Sequence, residues 1–257
     1  MKNSKIFPLL VFNAFAICIY GQVQVQKDLT SGIPSNLSQG VTKPGYDEAA
    51  FHREGFETMG NFSNRIKYSD IKGSPFWNSD WKLAAIYDTG NNFLARVKVK
   101  VNLATQEIFF LDKQGKEIVA SKELATKVVL YEGTDTSKIL TIFHTYRDIY
   151  YDKKIGDVYF QQLNQGKVQL LKATKKIVAT ADSLFGTIKT YHFIEQIYYF
   201  IRYNQKIEKI KKLNRDNIFP LVPGFSHYTE WIDQNRINFK KEADVIRFLD
   251  YYNSNHK

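Results

Sequence analysis

His144 stands four residues before Asp148 in "FHTYRD", and His192 stands three before Glu195 in "YHFIE". A histidine beside a carboxylate is the simplest acid–base pair, so these are the first candidates for catalysis. Both stretches read as strands. Residues four apart on a strand share a face but are separated by roughly 13 Å of rise, so His144 would not touch Asp148. His192 and Glu195 fall on opposite faces. A strand histidine among aromatic residues is expected to pack and to make one hydrogen bond. His52, His227 and His256 complete the set, and no two histidines have the spacing of metal ligands. The chain has no G-x-S-x-G elbow, phosphate loop, dinucleotide fingerprint or H-E-x-x-H. No catalytic residue, metal or cofactor is assigned.

The aromatic residues point to binding instead. In "IYYFIRY", Tyr199 and Tyr203 alternate with Tyr198, Phe200 and Arg202, and "DIYY" carries Tyr150. A strand apolar on both faces is either covered twice or faces a cavity. Tyrosine suits a half-wet cavity because a large apolar ring carries a polar tip. Tyr150, Tyr199 and Tyr203 are thus candidates for lining a lipid, glycan or peptide site; cover by C-terminal helices is the favoured alternative. Trp77 and Trp81 in "SPFWNSDWK" could form a sugar-stacking platform, although such residues more often plug the end of a barrel. Lys206, Lys209, Lys211, Lys212 and Arg215 could hold an anionic headgroup, or form a solvated strand end, which is favoured. Ser183 in "DSL" matches a short O-glycosylation motif of Bacteroidota-type bacteria and falls in a loop between two expected strands.

The elements that must position these residues are mostly strands. In "FLARVKVKVN", Val97, Val99 and Val101 share one face, and Arg96, Lys98 and Lys100 share the other. That period of two marks a strand with one buried face. "EIFFLD" and "KEIVAS" flank a hairpin turn, and Gly133, Gly156 and Asn164–Gly166 separate further strands. The expectation is an antiparallel β-meander of roughly eight to ten strands over residues 80–212. It would form a curved sheet or partly open barrel. Composition changes at Leu213. Asn214 can cap a short helix that Pro220 ends, and Tyr228, Trp231 and Ile232 mark a second over about 224–235. In "INFKKEADVIRFLDYYN", Val245, Ile246, Phe248, Leu249 and Tyr252 form an apolar stripe. Its polar face mixes both charge signs, unlike that of a membrane-surface helix, so it is expected to pack on the sheet. The fold class is mainly β with α.

The N-terminus, "MKNSKIFPLLVFNAFAICIYGQ", joins Lys2 and Lys5 to a short apolar run. That run is too short to span a membrane, which needs roughly 20 apolar residues. It suits a secretory signal over 1–21, cut near Gly21–Gln22. Cys18 is the one cysteine. Ile17 before it disfavours a lipoprotein signal, so the mature chain is expected to lack thiols and disulfides. Residues 22–67 read as a polar, largely flexible linker with one short helix. The β domain then covers 68–212 and the helical segment 213–257. Removing Lys2 and Lys5 lowers the net charge from +10 to +8. Export and the lack of a binding motif argue against nucleic acid.

"YSDIKGSPFWNSDWKLAAIY", "VNLATQEIFFLDKQGKEI" and "FKKEADVIRFLDYYN" together resemble a group of exported proteins of Bacteroidota-type bacteria. The resemblance covers roughly 68–253 and implies a β-rich fold with a helical end. No activity is established for the group, so it implies no catalytic residue. This chain departs from the group at "PLVPGFSHYTEW", where a more lysine-rich helix is usual. The leading expectation is a non-enzymatic, periplasmic or envelope-associated protein. It would bind an apolar or amphipathic ligand such as a lipid, or an envelope protein partner. A hydrolase of envelope polymers and a structural or assembly component are the alternatives.

Overall fold

Alternating apolar and charged residues commit nearly half of the described chain to strands, and a curled sheet is how those strands bury one face. The computed structural model describes residues 70–146, 155–182 and 189–255. The expected signal segment and linker, Cys18, His52, Asp148, Tyr150, Ser183 and His256 lie outside them. The strands are β1 (Ile71–Lys72), β2 (Lys82–Tyr87), β3 (Phe93–Asn102), β4 (Glu107–Leu111), β5 (Glu117–Val119) and β6 (Lys127–Glu132). There follow β7 (Asp135–His144), β8 (Phe160–Gln162), β9 (Val168–Asp182), β10 (Lys189–Tyr203) and β11 (Lys206–Ile210). Three helices close the described chain: α1 (Arg215–Ile218), α2 (Thr229–Gln234) and α3 (Glu242–Ser254).

All eleven strands belong to one open sheet, in the order β1-β10-β9-β8-β7-β6-β2-β3-β4-β5, with β11 also on β10. Every pairing is antiparallel except β1 with β10. The meander breaks twice: β1 lies beside β10 rather than β2. After β5 the chain returns to pair β6 with β2 rather than extending the sheet beyond β5. The returning segment buries Ala120 and Ala125 in the main core, and Tyr159 Oη donates to the Ala125 carbonyl at 2.7 Å. "KTYHFIEQ" and "IYYFIRY", expected as two strands, form a single 15-residue strand, β10, paired along its whole length with β9.

The sheet does not close into a barrel, but it curls until the β3–β4 turn meets β9. Lys176 N–H donates to the Leu103 carbonyl at 3.0 Å. Gln106, only 4% exposed and at a positive φ of 56°, donates through Nε2 to the carbonyls of Leu103 (2.7 Å) and Thr174 (2.9 Å). Its Oε1 accepts from Tyr159 N–H at 3.0 Å. A buried amide must satisfy both donors and its acceptor or cost stability. Gln106 does so by joining three segments that are distant in sequence.

The curl divides the sheet into two faces. The inner face carries Val97, Val99, Val101, Ile108, Phe110, Val128, Leu130 and Phe143, the main core. Farther along the same face, Val168, Leu170, Ile201 and Ile210 pack under the helices, against Tyr228, Ile232, Phe248, Leu249 and Tyr252. Asn214 accepts from Asn217 N–H at 2.9 Å and so caps α1 as its sequence suggests. The stripe on α3 is also as expected, with Val245, Phe248, Leu249 and Tyr252 buried. What hydropathy alone could not show is how α3 grips β9. Asn253 Oδ1 accepts from Val168 N–H (3.0 Å), and its Nδ2 donates to the Val168 and Gln165 carbonyls (2.8 Å each). The amide therefore pairs with Val168 as a neighbouring strand would. Gly166 beneath it has φ +117°, and a Cβ there would lie 2.4 Å from Asn253 Cγ.

Leu249 is fully buried between α3 and the sheet. Leu249→Asp should lower the unfolding free energy by at least about 3 kcal/mol, since it deletes core packing and buries an unpaired charge. Urea denaturation followed by circular dichroism checks this; an unchanged midpoint would mean that α3 is not docked.

Candidate binding cleft and outer face

β7 is flanked unequally. On one side it pairs with β6 along its length; on the other, β8 pairs only with Ile142, Phe143 and His144. Among the described residues, no strand covers the outer edge of β7 before Ile142. The register with β6 also shifts there. Leu130 faces Thr141 and Tyr131 faces Ile139, so Leu140 is an extra residue. Such a bulge turns side chains outward, and Ile139 (50%) and Leu140 (43%) are among the exposed large apolar residues. Between this edge and the segment Leu163–Gln165 lies a cleft of about 190 Å³. Its polar groups are side-chain amides. Gln161 Nε2 donates to Thr141 Oγ1 (3.0 Å), and Gln162 Nε2 donates to the Asn164 carbonyl (2.9 Å). The far wall is rigid, because buried Asn164 donates to the Val168 carbonyl (3.0 Å) and accepts from Leu170 N–H (2.6 Å).

The candidate tyrosines lie elsewhere. Tyr199 and Tyr203 pack against the helices rather than lining an open cavity. Tyr199 Oη donates to Glu242 Oε2 at 2.6 Å, and Lys172 Nζ pairs with the same oxygen at 2.9 Å. Burial, then that hydrogen bond and the carboxylate's charge, push the Tyr199 hydroxyl far above the usual tyrosine range. It stays protonated and anchors the first turn of α3 to β10. Trp77 meets Phe143 edge-on at 5.6 Å and packs against the main core, as a plug would. Trp81 is half-buried with Lys100 Nζ 4.7 Å from its ring; the same ammonium lies 5.2 Å from Phe76.

The basic residues at 206–215 do not converge on one point. Lys206 pairs with Glu208 (2.6 Å), Lys209 sits 4.8 Å over Tyr198, and Arg215 lies over Phe219 and 3.7 Å from Asp233. Lys211 and Lys212 are exposed in the turn before α1. His192 approaches Thr190 Oγ1 (3.1 Å), while Glu195 on the opposite face pairs with Lys176 (3.5 Å). Among the described residues, no histidine contacts a carboxylate and no three His, Cys, Asp or Glu residues cluster as metal ligands would.

A cross-strand row on the outer face was not legible in sequence. The register places Phe93, Tyr87, Lys127, His144, Phe160, Ala173 and Tyr198 side by side across seven strands. Lys127 Nζ lies 5.1 Å over Tyr87, whose ring meets Phe93 at 5.9 Å. His144 stacks on Tyr146 at 4.4 Å, and the Arg202 guanidinium lies 5.1 Å over that same tyrosine ring. Period-two patterning gives the face of each residue but not which strands are neighbours, so only the pairing of β6 with β2 brings Lys127 beside Tyr87. No known protein-family model matches the chain, and neither does any curated protein or solved structure.

Burial holds the His144 imidazole below its ordinary value of 6.5; its contact with the Thr145 carbonyl opposes this, and Lys127 and Arg202 add to it. A base depressed in the folded state binds more protons when unfolded, so stability is complete above 6.5 and falls as pH drops toward the folded value. The urea midpoint should decline between pH 7.5 and 5.5, and His144→Gln should flatten that decline. An equal decline in both proteins would show that His144 is not the titrating group.

Proposed function

We propose that this is an exported, non-enzymatic envelope protein that holds an extended segment of a protein partner along the open edge of β7. One observation carries the reading: a strand edge that no described strand covers, with two exposed apolar side chains beside a rigid cleft lined by amides and Thr141. An added strand would find free backbone groups along β7, and its alternate side chains would meet Ile139, Leu140 and the cleft. At about 190 Å³ the cleft is smaller than ligand pockets, which start at roughly 300 Å³. It suits one or two side chains better than a lipid chain. The cover of Tyr199 and Tyr203 by helices favours a protein partner over a carried amphipathic ligand for the same reason. Export rests on the N-terminal charge and apolar run. No described helix is long and apolar enough to cross a membrane.

A photo-crosslinking residue at position 140, irradiated in the intact envelope, should give one adduct of defined mass. The same group at Lys113, on the β4–β5 turn, should not. Leu140→Asp should reduce partner recovery about tenfold, the loss of roughly 1.4 kcal/mol, without changing the thermal midpoint. Equal adducts at both positions would remove the reading.

A further inference from the structure

We propose that the outer face of β2, β3 and β6 docks the protein on an anionic lipid surface. This goes beyond the β7 edge and does not depend on it. Arg96, Lys98 and Lys100 point outward from β3 in one line, at the spacing of about 7 Å that alternate strand residues have. Across the ladder from them lie Ala85 and Leu83, then Val129 and Tyr131, a buried apolar strip that forms its own small cluster beneath the cations. Lys127 closes the strip at one end. The residues that these three strands turn outward between Tyr87 and Tyr131 include no carboxylate. The nearest acid in the β2–β3 turn, Asp88, is occupied by Asn92, accepting from its backbone N–H (2.8 Å) and from Nδ2 (3.0 Å).

Phe93 selects the partner. It is 55% exposed at the head of β3, with the Arg96 guanidinium 5.9 Å from its ring and Lys127 nearby over Tyr87. A soluble polyanion would satisfy the cations and leave this ring in water. A membrane interface offers phosphate to Arg96, Lys98 and Lys127 and hydrocarbon to Phe93 at once. The long stems of arginine and lysine let their heads reach the phosphates.

Sedimentation of the full chain with phosphatidylglycerol–phosphatidylcholine vesicles, and with phosphatidylcholine alone, tests this at 0.15 M salt. The N-terminal apolar run is common to all variants and cancels in their ratios. The parent should partition more strongly onto the anionic vesicles. Arg96→Gln combined with Lys98→Gln should weaken that partition about 25-fold, about fivefold per cation near the surface. Lys211→Gln with Lys212→Gln removes the same charge elsewhere and should change it less than twofold. Phe93→Ser should weaken vesicle binding severalfold yet leave binding to heparin, a soluble polyanion, unchanged. All five substituted sites are exposed, so the variants should melt with the parent. Equal losses in the two double variants would overturn the proposal by reducing it to net charge. Full vesicle binding by Phe93→Ser would overturn the lipid assignment in favour of a polyanion.

Discussion

The three hydrogen bonds of Gln106 hold together parts of the sheet that are far apart in the strand order. Its carboxamide joins the β3–β4 turn to β9 and to the residue before β8. Lys176 reinforces the contact, donating from its backbone to Leu103 and from Nζ to the carbonyls of Ser74 (3.0 Å) and Phe76 (2.8 Å). Without this seam, β2–β5 would be the wing of an open sheet with an exposed apolar inner face. With it, the inner face becomes a core and Trp77 packs against it. Deleting one partner of a buried amide typically costs about 1–3 kcal/mol, and here one side chain serves three partners.

The seam also decides which surfaces remain for binding. The inner face is used up, first by the curl and then by α3, which Asn253 and Glu242 fasten to β9 and β10. Part of the outer face is covered too, since Tyr146, Ile155 and Val158 pack on Phe160, Leu171 and Phe200. Among the described residues, the edge of β7 before Ile142 and Arg96, Lys98 and Phe93 on the outer face of β2, β3 and β6 stay exposed. They are adjoining but chemically different: one pairs an open backbone with neutral amides, the other pairs cations with aromatic rings. Of the described histidines, His144 is packed on Tyr146 and His192 approaches Thr190.

Local order was readable where one residue pattern had one use. "FLARVKVKVN" could only be a half-buried strand, and the α3 stripe and the Asn214 cap followed from their own few residues. Fold class was accessible for the same reason. Pairing was not, because nothing local distinguishes β6 beside β2 from β6 beside β5; that choice is made by the curl. The fusion of two expected strands into β10 reflects unbroken pairing with β9, which outweighs the charged residues in its middle. Tyr199 and Tyr203 had the composition of a ligand site, yet the helices claimed them. The bulge at Leu140 and the left-handed turn at Gln106 had no turn residue to announce them, so the cleft and the seam escaped sequence reasoning together.

The claim that one seam unites the sheet can be tested by native-state hydrogen exchange. The amides of Lys176 and Tyr159, which bond across it, should exchange only through global unfolding. Their free energies should equal those of Val99 and Val101 in the centre of the main core. If Lys176 and Tyr159 instead exchange at a lower free energy, in step with β9–β11 and ahead of β3, the two halves open separately and the seam does not hold them.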